Sequence, residues 1–510
     1  MIRRFYHWLT RKEEELALPL RLFFGFNLAC CILLSFQHIG YHQADEHFQI
    51  SEFAWYLLGE GPAEELPWEF RERMRPALQP IASAAYFQLM EWVGMDSPYL
   101  MIWLMRICMS FVSMGAMFLM LYTFEKEVKS LQARRLLWGM GALLWFLPYL
   151  FIRFTAENTA AVVFMLVLYL LFGRRKAEAP PPSMAMVFGI GLLLGLCFVL
   201  RYQIAFALAG LGAWLLFRGR MGVGRLALMF LGSMVTVGGS VLLDSWFYGT
   251  LTVAPYQYYV ANIVEKKAAS FGVHPWYQYF IEMTIWLCPP LSILLQGLFF
   301  YGVWKKPWHV LTWCILPFLL AHIAVGHKEL RFLFPLLYLF PLFIAIGLDQ
   351  LPKKYHWKGL GKTMVRINMA MSVLMLYRPV YQVVDFNEYY QKFIYDYSLR
   401  QEEPLRIASF HESPYSIFDL EMNFYKPSRI ELLVLDSLPQ LTDLLQQQGT
   451  DHLLVNIRGY GGPPEVEGIE WECIYASFHP RMEHYNYFNW QQMVKLRYLY
   501  RPRRQELSSR

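Results

Sequence analysis

Long apolar runs separated by short basic interruptions fill the first 380 residues of this chain. Runs long enough to cross a hydrocarbon core of about 30 Å begin near Pro19, Leu100, Arg135, Thr155, Met184, Gln203, Leu226, Ile281, His309, Phe332 and Thr363. They predict about eleven transmembrane helices. A weaker run from Ala77 to Val93 carries Gln79, Pro80, Gln88 and Glu91 and reads as an interfacial or re-entrant helix. After about Asp385 the pattern changes. Short strand-like pieces, "RIELLVL" and "DHLLVNI", flank the helical "SLPQLTDLLQQQG". The expected architecture is an all-α polytopic membrane domain over residues 1–380, followed by a small soluble α/β appendage over 385–510.

Composition agrees with a membrane protein: 56% of residues are hydrophobic and only 17% are charged, against about 25% charged in an ordinary soluble chain. The net charge of +6 does not indicate a nucleic-acid partner, because the basic residues sit in short clusters between apolar runs. Those clusters set topology. With the N-terminus in the cytoplasm and the Ala77–Val93 run excluded, "EKEVKSLQARR", "GRRKAEAPPPS", "FRGRMGVGR", "WKKPWH" and "LPKKYHWKGLGK" all fall on the cytoplasmic side. The non-cytoplasmic face then receives a long first loop (38–99), the segment Asp244–Tyr279, the short loop Gly326–Arg331 and everything after about Tyr381.

The basic "MIRRFYHWLTRK" runs into an apolar stretch without a small-residue cleavage site, so the first span is read as uncleaved. Six of seven cysteines lie in apolar runs and predict no disulfide framework. No Asn-x-Ser/Thr acceptor occurs. That favours a bacterial plasma membrane over an endoplasmic reticulum membrane for this multi-pass protein.

Ionisable groups at the edge of a bilayer are expensive and mark candidate chemistry. Asp45 and Glu46 follow the first span, between His42 and His47, in a loop patterned to lie on a membrane surface. They read either as a solvated acidic turn or as a carboxylate acting as general base toward a hydroxyl. His327, Lys328, Glu329 and Arg331 are packed between two apolar runs. Two cations on a face usually poor in positive charge suit a lipid phosphate better than simple snorkelling. Tyr248, His274 and Trp276 belong to an aromatic loop suited to sugar stacking or headgroup packing, with interface anchoring the simpler reading. Arg153 and Arg201, at span ends on the same face, are snorkelling residues or parts of an anion site, and Arg106 lies inside a span, where it would hold helices together. The chain has no HExxH, no His pair at ligand spacing, no Asp-x-Asp, no Walker loop and no GxGxxG after a strand. A metal or cytosolic nucleotide site is therefore unsupported.

Four stretches, in order, resemble the glycosyltransferase family 22 mannosyltransferases, which include GPI-anchor and dolichol-linked-oligosaccharide enzymes. "ADEHFQISEFA" resembles the family's Pro-Asp-Glu-x-x-Gln-x-x-Glu segment, with Ala44 in place of proline. "RFTAENTA", at Arg153–Ala160, resembles a degraded Arg-Thr-x-Ser-Asn-Ser segment. "DSWFYG" and then "FGVHPWYQY" resemble Asp-Ser-x-x-Tyr-Gly and Gly-x-His-Pro-Trp-Tyr. "GHKELRFLFP" resembles the His-Lys-Glu-x-Arg-Phe signature.

The resemblance implies a GT-C fold, a catalytic acid in the first non-cytoplasmic loop, no metal cofactor, and inverting transfer from a polyprenyl-phosphate-mannose donor to a glycolipid or lipid-linked glycan. On it, Asp45 is the base with Glu46 as its alternative, and Lys328 and Arg331, with Arg201, hold the donor phosphate. His327 and Glu329 orient the donor or the cation pair. The competing expectations are a transporter or flippase of polyprenyl-linked lipids, a GT-C transferase of another sugar, and a non-catalytic relative, which would be expected to lack the acid.

Overall fold

The computed structural model describes residues 21–37, 41, 43–144, 146–173, 182–286, 291–351, 387–410, 412–417, 420–448, 453–458, 462–477 and 496–504, with scattered positions between 363 and 374. The basic N-terminal segment, His42, Cys288, most of "GRRKAEAPPPS" and "LPKKYHWKGLGK", and nearly all of the expected span at Thr363 lie outside them. The chain divides into two compact units. One comprises Met1–Gln37, Glu69–Ala82 and Trp103–Tyr377; the other comprises His38–Trp68, Ser83–Ile102 and Arg378–Arg510.

Among the described residues, three helices are long and apolar enough to cross a membrane: Pro98–Glu127, Ala156–Gly173 and Val223–Phe247. A bent pair, Leu330–Leu337 and Phe340–Asp349, makes a fourth if counted as one span. Five shorter apolar helices accompany them: Phe23–Phe36, Met184–Leu200, Tyr202–Phe217, Leu291–Lys305 and Val310–Ala324. The weak run near Ala77 forms a helix of 15 residues, Leu78–Trp92, which is not among these.

Prolines explain where expected spans break. The run from Arg135 is two helices, Leu131–Leu143 and Phe146–Phe151. Pro148 has no N–H to give the Leu144 carbonyl, and its ring crowds that oxygen. The run from Phe332 bends by 61°. There Pro341 stands four residues after Leu337 and removes the bond that would carry the helix through Tyr338 and Leu339.

The core of the first unit is closed by large side chains without exposure, Trp138, Phe151, Phe299 and Tyr338 among them. One set of its buried polar groups centres on Asn158. Asn158 donates to Ser113 Oγ (3.2 Å) and the Arg153 carbonyl (2.8 Å), and accepts from Tyr338 Oη (2.6 Å). That is the expected solution for an amide in an apolar interior. The helices Met184–Leu200 and Val223–Phe247 approach through small residues. A Cβ on Gly191 would lie 2.2 Å from the Met229 carbonyl oxygen. Ser233 Oγ donates across the same seam to the Gly191 carbonyl at 2.9 Å, and Thr236 Oγ1 to that of Leu192 at 2.9 Å.

In the second unit, the C-terminal residues form strands β1 (Leu405–Phe410), β2 (Ser416–Ile417), β3 (Leu420–Glu421), β4 (Ile430–Leu435), β5 (Leu453–Arg458), β6 (Ile469–Ala476) and β7 (Arg497–Arg504). Five of them make one sheet of order β4-β1-β5-β7-β6, and β2 pairs with β3 in a small hairpin. Strands β4 and β5 run parallel to β1 on its two sides, and β7 is antiparallel to β5 and β6. Parallel strands need a crossover. The helix Leu438–Gln448 supplies it, burying Leu441 and Leu445 with Ala408, Leu453 and Val455.

The helix seam generates the first prediction. Gly191→Leu should lower the melting temperature of the purified protein, at a cost of about 1–3 kcal/mol or more, because the obstacle is backbone and cannot rotate away.

Candidate active site

Three ionisable groups of the first unit gather around Phe332. The guanidinium carbons of Arg201 and Arg331 lie 5.1 and 5.3 Å from its ring centre, and the His327 ring lies 6.1 Å away. Arg201 follows the helix Met184–Leu200 in an extended conformation (φ −152°), which ends the helix and aims the side chain inward. It meets Glu157 at 3.1 Å, and both side chains are buried. Glu157 sits in the first turn of the helix starting at Ala156, capped by Thr155 Oγ1. The unbonded N–H groups there favour a negative charge.

The loop after the helix Val310–Ala324 holds the other charges. Glu329 takes Arg331 in a two-pronged contact, from Nε at 2.7 Å and from Nη2 at 3.1 Å, and it also meets His327 Nε2 at 3.0 Å. His327 Nδ1 faces the Gly272 carbonyl at 3.0 Å. Lys328 is buried, donates to the carbonyls of Ile323 (3.0 Å) and Val325, and lies over the Tyr279 ring. Among the described residues, two of its three N–H donors are thus used on the carbonyls at that helix end. Burial pushes its pKa below the ordinary lysine value.

The remaining predicted residues of this unit are placed differently. His274 is tied to the same loop by its backbone N–H, which donates to the Gly326 carbonyl at 2.9 Å, and its ring lies 6.4 Å from that of His327. Tyr248 Oη instead donates to the Arg75 carbonyl at 2.9 Å. Its neighbour Asp244 is fully buried and accepts from the Ala77 N–H at 2.8 Å and from Ser240 Oγ at 3.2 Å. Together they hold the segment 75–77. Arg153 is fully buried with its guanidinium 4.3 Å from the Tyr149 ring centre. Trp276 is 63% exposed and packs edge-on against Tyr277 and Phe280.

Asp45 and Glu46 belong to the second unit, both half-buried in the short helical turn Ala44–Glu46. A π-helical turn, His47–Glu52, and an α-helical turn, Phe53–Leu57, follow. The i to i+5 spacing of the π turn puts His47 and Glu52 on one side. There, His47 Nε2 and Glu52 Oε1 meet at 2.7 Å, both buried.

Residue patterns alone passed over Glu157, Phe332, Tyr279 and Glu52. Glu157 had a readable signal, the Thr155 cap three residues before Asn158, and Glu52 is the last acid of "ADEHFQISE".

A model of the Alg9-like mannosyltransferase family matches residues 22–418 of this 510-residue chain. The chain belongs to the Alg9-like mannosyltransferase family. All the residues just described lie within the Alg9-like match. Its relatives include "GPI alpha-1,2-mannosyltransferase 3" of Bos taurus, 27% identical over 297 residues, or 56% of this chain and 51% of the relative. "GPI mannosyltransferase 3" of Yarrowia lipolytica is 26% identical over 356 residues, 68% of this chain and 66% of the relative. The chain spans about half the length of the mammalian relatives it matches.

The crystal structure of ArnT from Cupriavidus metallidurans bound to undecaprenyl phosphate superposes with a TM-score of 0.52, covering 88% of this chain and 93% of that one. At 11% identity the likeness is one of fold. It gives this Alg9-like protein a largely helical GT-C fold with a β-sheet near its C-terminus, and the apolar helices described above give it membrane character. The relatives named come from a mammal and a fungus, and lend no support to the expected bacterial plasma membrane.

Asp244 generates the second prediction for this Alg9-like chain. Asp244→Ala strands the Ala77 N–H in a buried site and should cost about 1–3 kcal/mol, read as a lower melting temperature. Asp244→Asn, which keeps an acceptor oxygen, should lose less.

Proposed function

We propose that this chain is an inverting mannosyltransferase that moves mannose from a polyprenyl-phosphate-mannose donor to a hydroxyl of a glycolipid or lipid-linked glycan, on the non-cytoplasmic face of a membrane that it crosses about eleven times. The observation that carries this reading is the coexistence, inside the family match, of a half-buried Asp45–Glu46 turn and a buried cation group, in which carboxylates order Arg201 and Arg331 and backbone carbonyls hold Lys328. The names of the relatives, GPI mannosyltransferases among them, and the undecaprenyl phosphate bound to ArnT point to the same substrate classes. The domain assignment follows: residues 1–380 carry the transferase and 385–510 a non-cytoplasmic appendage.

In the proposed step, an acceptor hydroxyl oxygen attacks the anomeric carbon of β-linked mannose while the bond from that carbon to the phosphate oxygen breaks. The hydroxyl proton passes to the Asp45 carboxylate. The bonding pair leaves with the polyprenyl phosphate, and inversion yields an α-mannoside. Arg331 and Arg201 present guanidinium N–H groups to the phosphate, and Lys328 its remaining donor; these contacts strengthen as charge builds on the leaving oxygen. Glu329 and His327 set the direction of Arg331. Tyr248 is assigned to holding the segment 75–77 through the Arg75 carbonyl.

Two predictions test this. Purified full-length protein in detergent with lipid should transfer label from radiolabelled polyprenyl-phosphate-mannose, and not from GDP-mannose, to a lipid extract. Asp45→Asn should lower transfer by about 10²-fold or more while donor binding survives, with a smaller loss in Glu46→Gln. Donor binding without transfer in any protein, across several extracts, would replace the reading with transport of a polyprenyl-linked lipid. Second, Arg331→Ala should weaken donor binding about tenfold to a hundredfold, and Arg331→Lys should recover only part of it, because a lysine cannot reproduce the forked geometry held by Glu329. Unchanged binding of polyprenyl phosphate to Arg331→Ala removes Arg331 from the phosphate site.

A further inference from the structure

Beyond the end of the family match, the turn Asn423–Tyr425 is buried, and its contacts go to the first-loop segment of the same unit. Asn423 Nδ2 donates to Glu65 Oε2 at 2.6 Å, and the Phe424 backbone N–H donates to Glu52 Oε1 at 3.0 Å. The Phe424 ring meets Trp55 edge-on at 5.3 Å and Phe87 at 4.8 Å. Tyr425 stacks on His47, with ring centres 5.3 Å apart and 13° between planes, and also packs on Tyr99 at 4.9 Å. Tyr41 stacks on His47 as well, at 5.5 Å and 25°.

His47 is the residue after Glu46, so whatever fixes its ring fixes the end of the Ala44–Glu46 turn. That turn opens a helical stretch that continues through the π turn to Leu57. Its N-cap Gln43 makes no side-chain cap bond, and it has alanine at the position where a proline would pre-set the backbone, so its first turn depends on what packs behind it. The π turn after it places Glu52 under His47, and Glu52 in turn is bonded to the Phe424 N–H. A general base must be held to within a fraction of an ångström of its proton. Here two of the holding groups, Phe424 and Tyr425, come from the C-terminal residues and join Tyr41 and Glu52 of the loop itself.

We propose that the Asn423–Tyr425 turn is a positioning element for transfer: stacked on His47 and bonded to Glu52, it fixes the Ala44–Glu46 turn and with it the direction of the Asp45 carboxylate. This rests on the reading of Asp45 as base given above. Tyr425 does not touch the reacting atoms. It acts through His47, and its ring face is the part that matters.

The test compares full-length wild type, Asp45→Asn, Tyr425→Ala and Tyr425→Phe in detergent with lipid. Transfer from radiolabelled polyprenyl-phosphate-mannose is measured beside hydrogen exchange of the backbone over residues 43–53. Tyr425→Ala should lower kcat about tenfold to a hundredfold, leave the donor KM within about twofold, and speed exchange over 43–53, with the rest of the chain unchanged. Tyr425→Phe, which keeps the ring, should restore both. Wild-type kcat and exchange in Tyr425→Ala, or a rise in donor KM at constant kcat, overturns the proposal, as does an equal loss in Tyr425→Phe. Wild-type protein that transfers nothing, or Asp45→Asn as active as wild type, instead brings down the reading of Asp45 as base and this positioning role with it. Activity lost in Asp45→Asn but indifferent to Tyr425→Ala removes only the positioning role.

Discussion

A charge withdrawn from water has to be matched where it sits, because the desolvation penalty of an unpaired ion is a large fraction of the net stability of most folds. The first unit is arranged around that constraint. Arg201 closes one helix and Glu157 opens another, and their contact at 3.1 Å ties the two ends together. Glu329 serves Arg331 and His327 at once. Lys328 sits at the carbonyl end of the helix Val310–Ala324, where the backbone dipole favours a cation. Asp244 is the opposite case. It lies near the carbonyl end of the helix Val223–Phe247, where an anion is disfavoured, and its burial requires the Ala77 N–H and the Ser240 hydroxyl.

Much of this arrangement was legible in the residues, for physical reasons that also mark where legibility stops. Apolar runs read as helices because a backbone in hydrocarbon must bond within its own segment. The breaks near Pro148 and Pro341 were equally local, yet hydropathy averages over them, so two interrupted segments read as continuous spans. The His327–Arg331 cluster was visible because four polar residues stand together between apolar runs. Glu157 was not singled out, since nothing in its neighbourhood says that its partner is Arg201 in a later helix. The same holds for Tyr248, since nothing in its neighbourhood says that its hydroxyl donates to the carbonyl of Arg75, far earlier in the chain. Of the C-terminal sheet, β4 and β5 were read from short strand-like pieces, but a single turn such as Asn423–Tyr425 has no periodicity to betray it.

The first loop shows what a one-dimensional reading leaves out. Residues 38–99 look like one amphipathic segment, yet 69–82 belong to the first compact unit while 38–68 and 83–102 belong to the second. Within the first unit the segment 69–82 is held by Asp244, by Tyr248 and by Arg75 lying over the Tyr258 ring at 5.8 Å. Within the second, the stretch around Asp45 is held by the His47–Glu52 pair and aromatic stacking. A loop anchored along its length to different sets of side chains loses conformational entropy before any substrate arrives, and that cost is borne by folding and not by binding.

The pairing of both arginines with carboxylates bears on how the proposed phosphate site would work. An unpaired guanidinium in an apolar pocket would bind a donor phosphate tightly in the ground state, which lowers KM without lowering the barrier. Arg331, already gripped in two prongs by Glu329, has part of its charge neutralised, while its planar fork is held in one orientation. Such a group offers directed N–H bonds with less ground-state affinity than an unpaired guanidinium would have. Its attraction grows as the leaving oxygen gains a full charge, and no reorganisation is needed at that moment. Glu157 does the same for Arg201. On the proposed mechanism, the carboxylates that weaken anion binding in the ground state are therefore what turns the cation group toward stabilising departure of the polyprenyl phosphate.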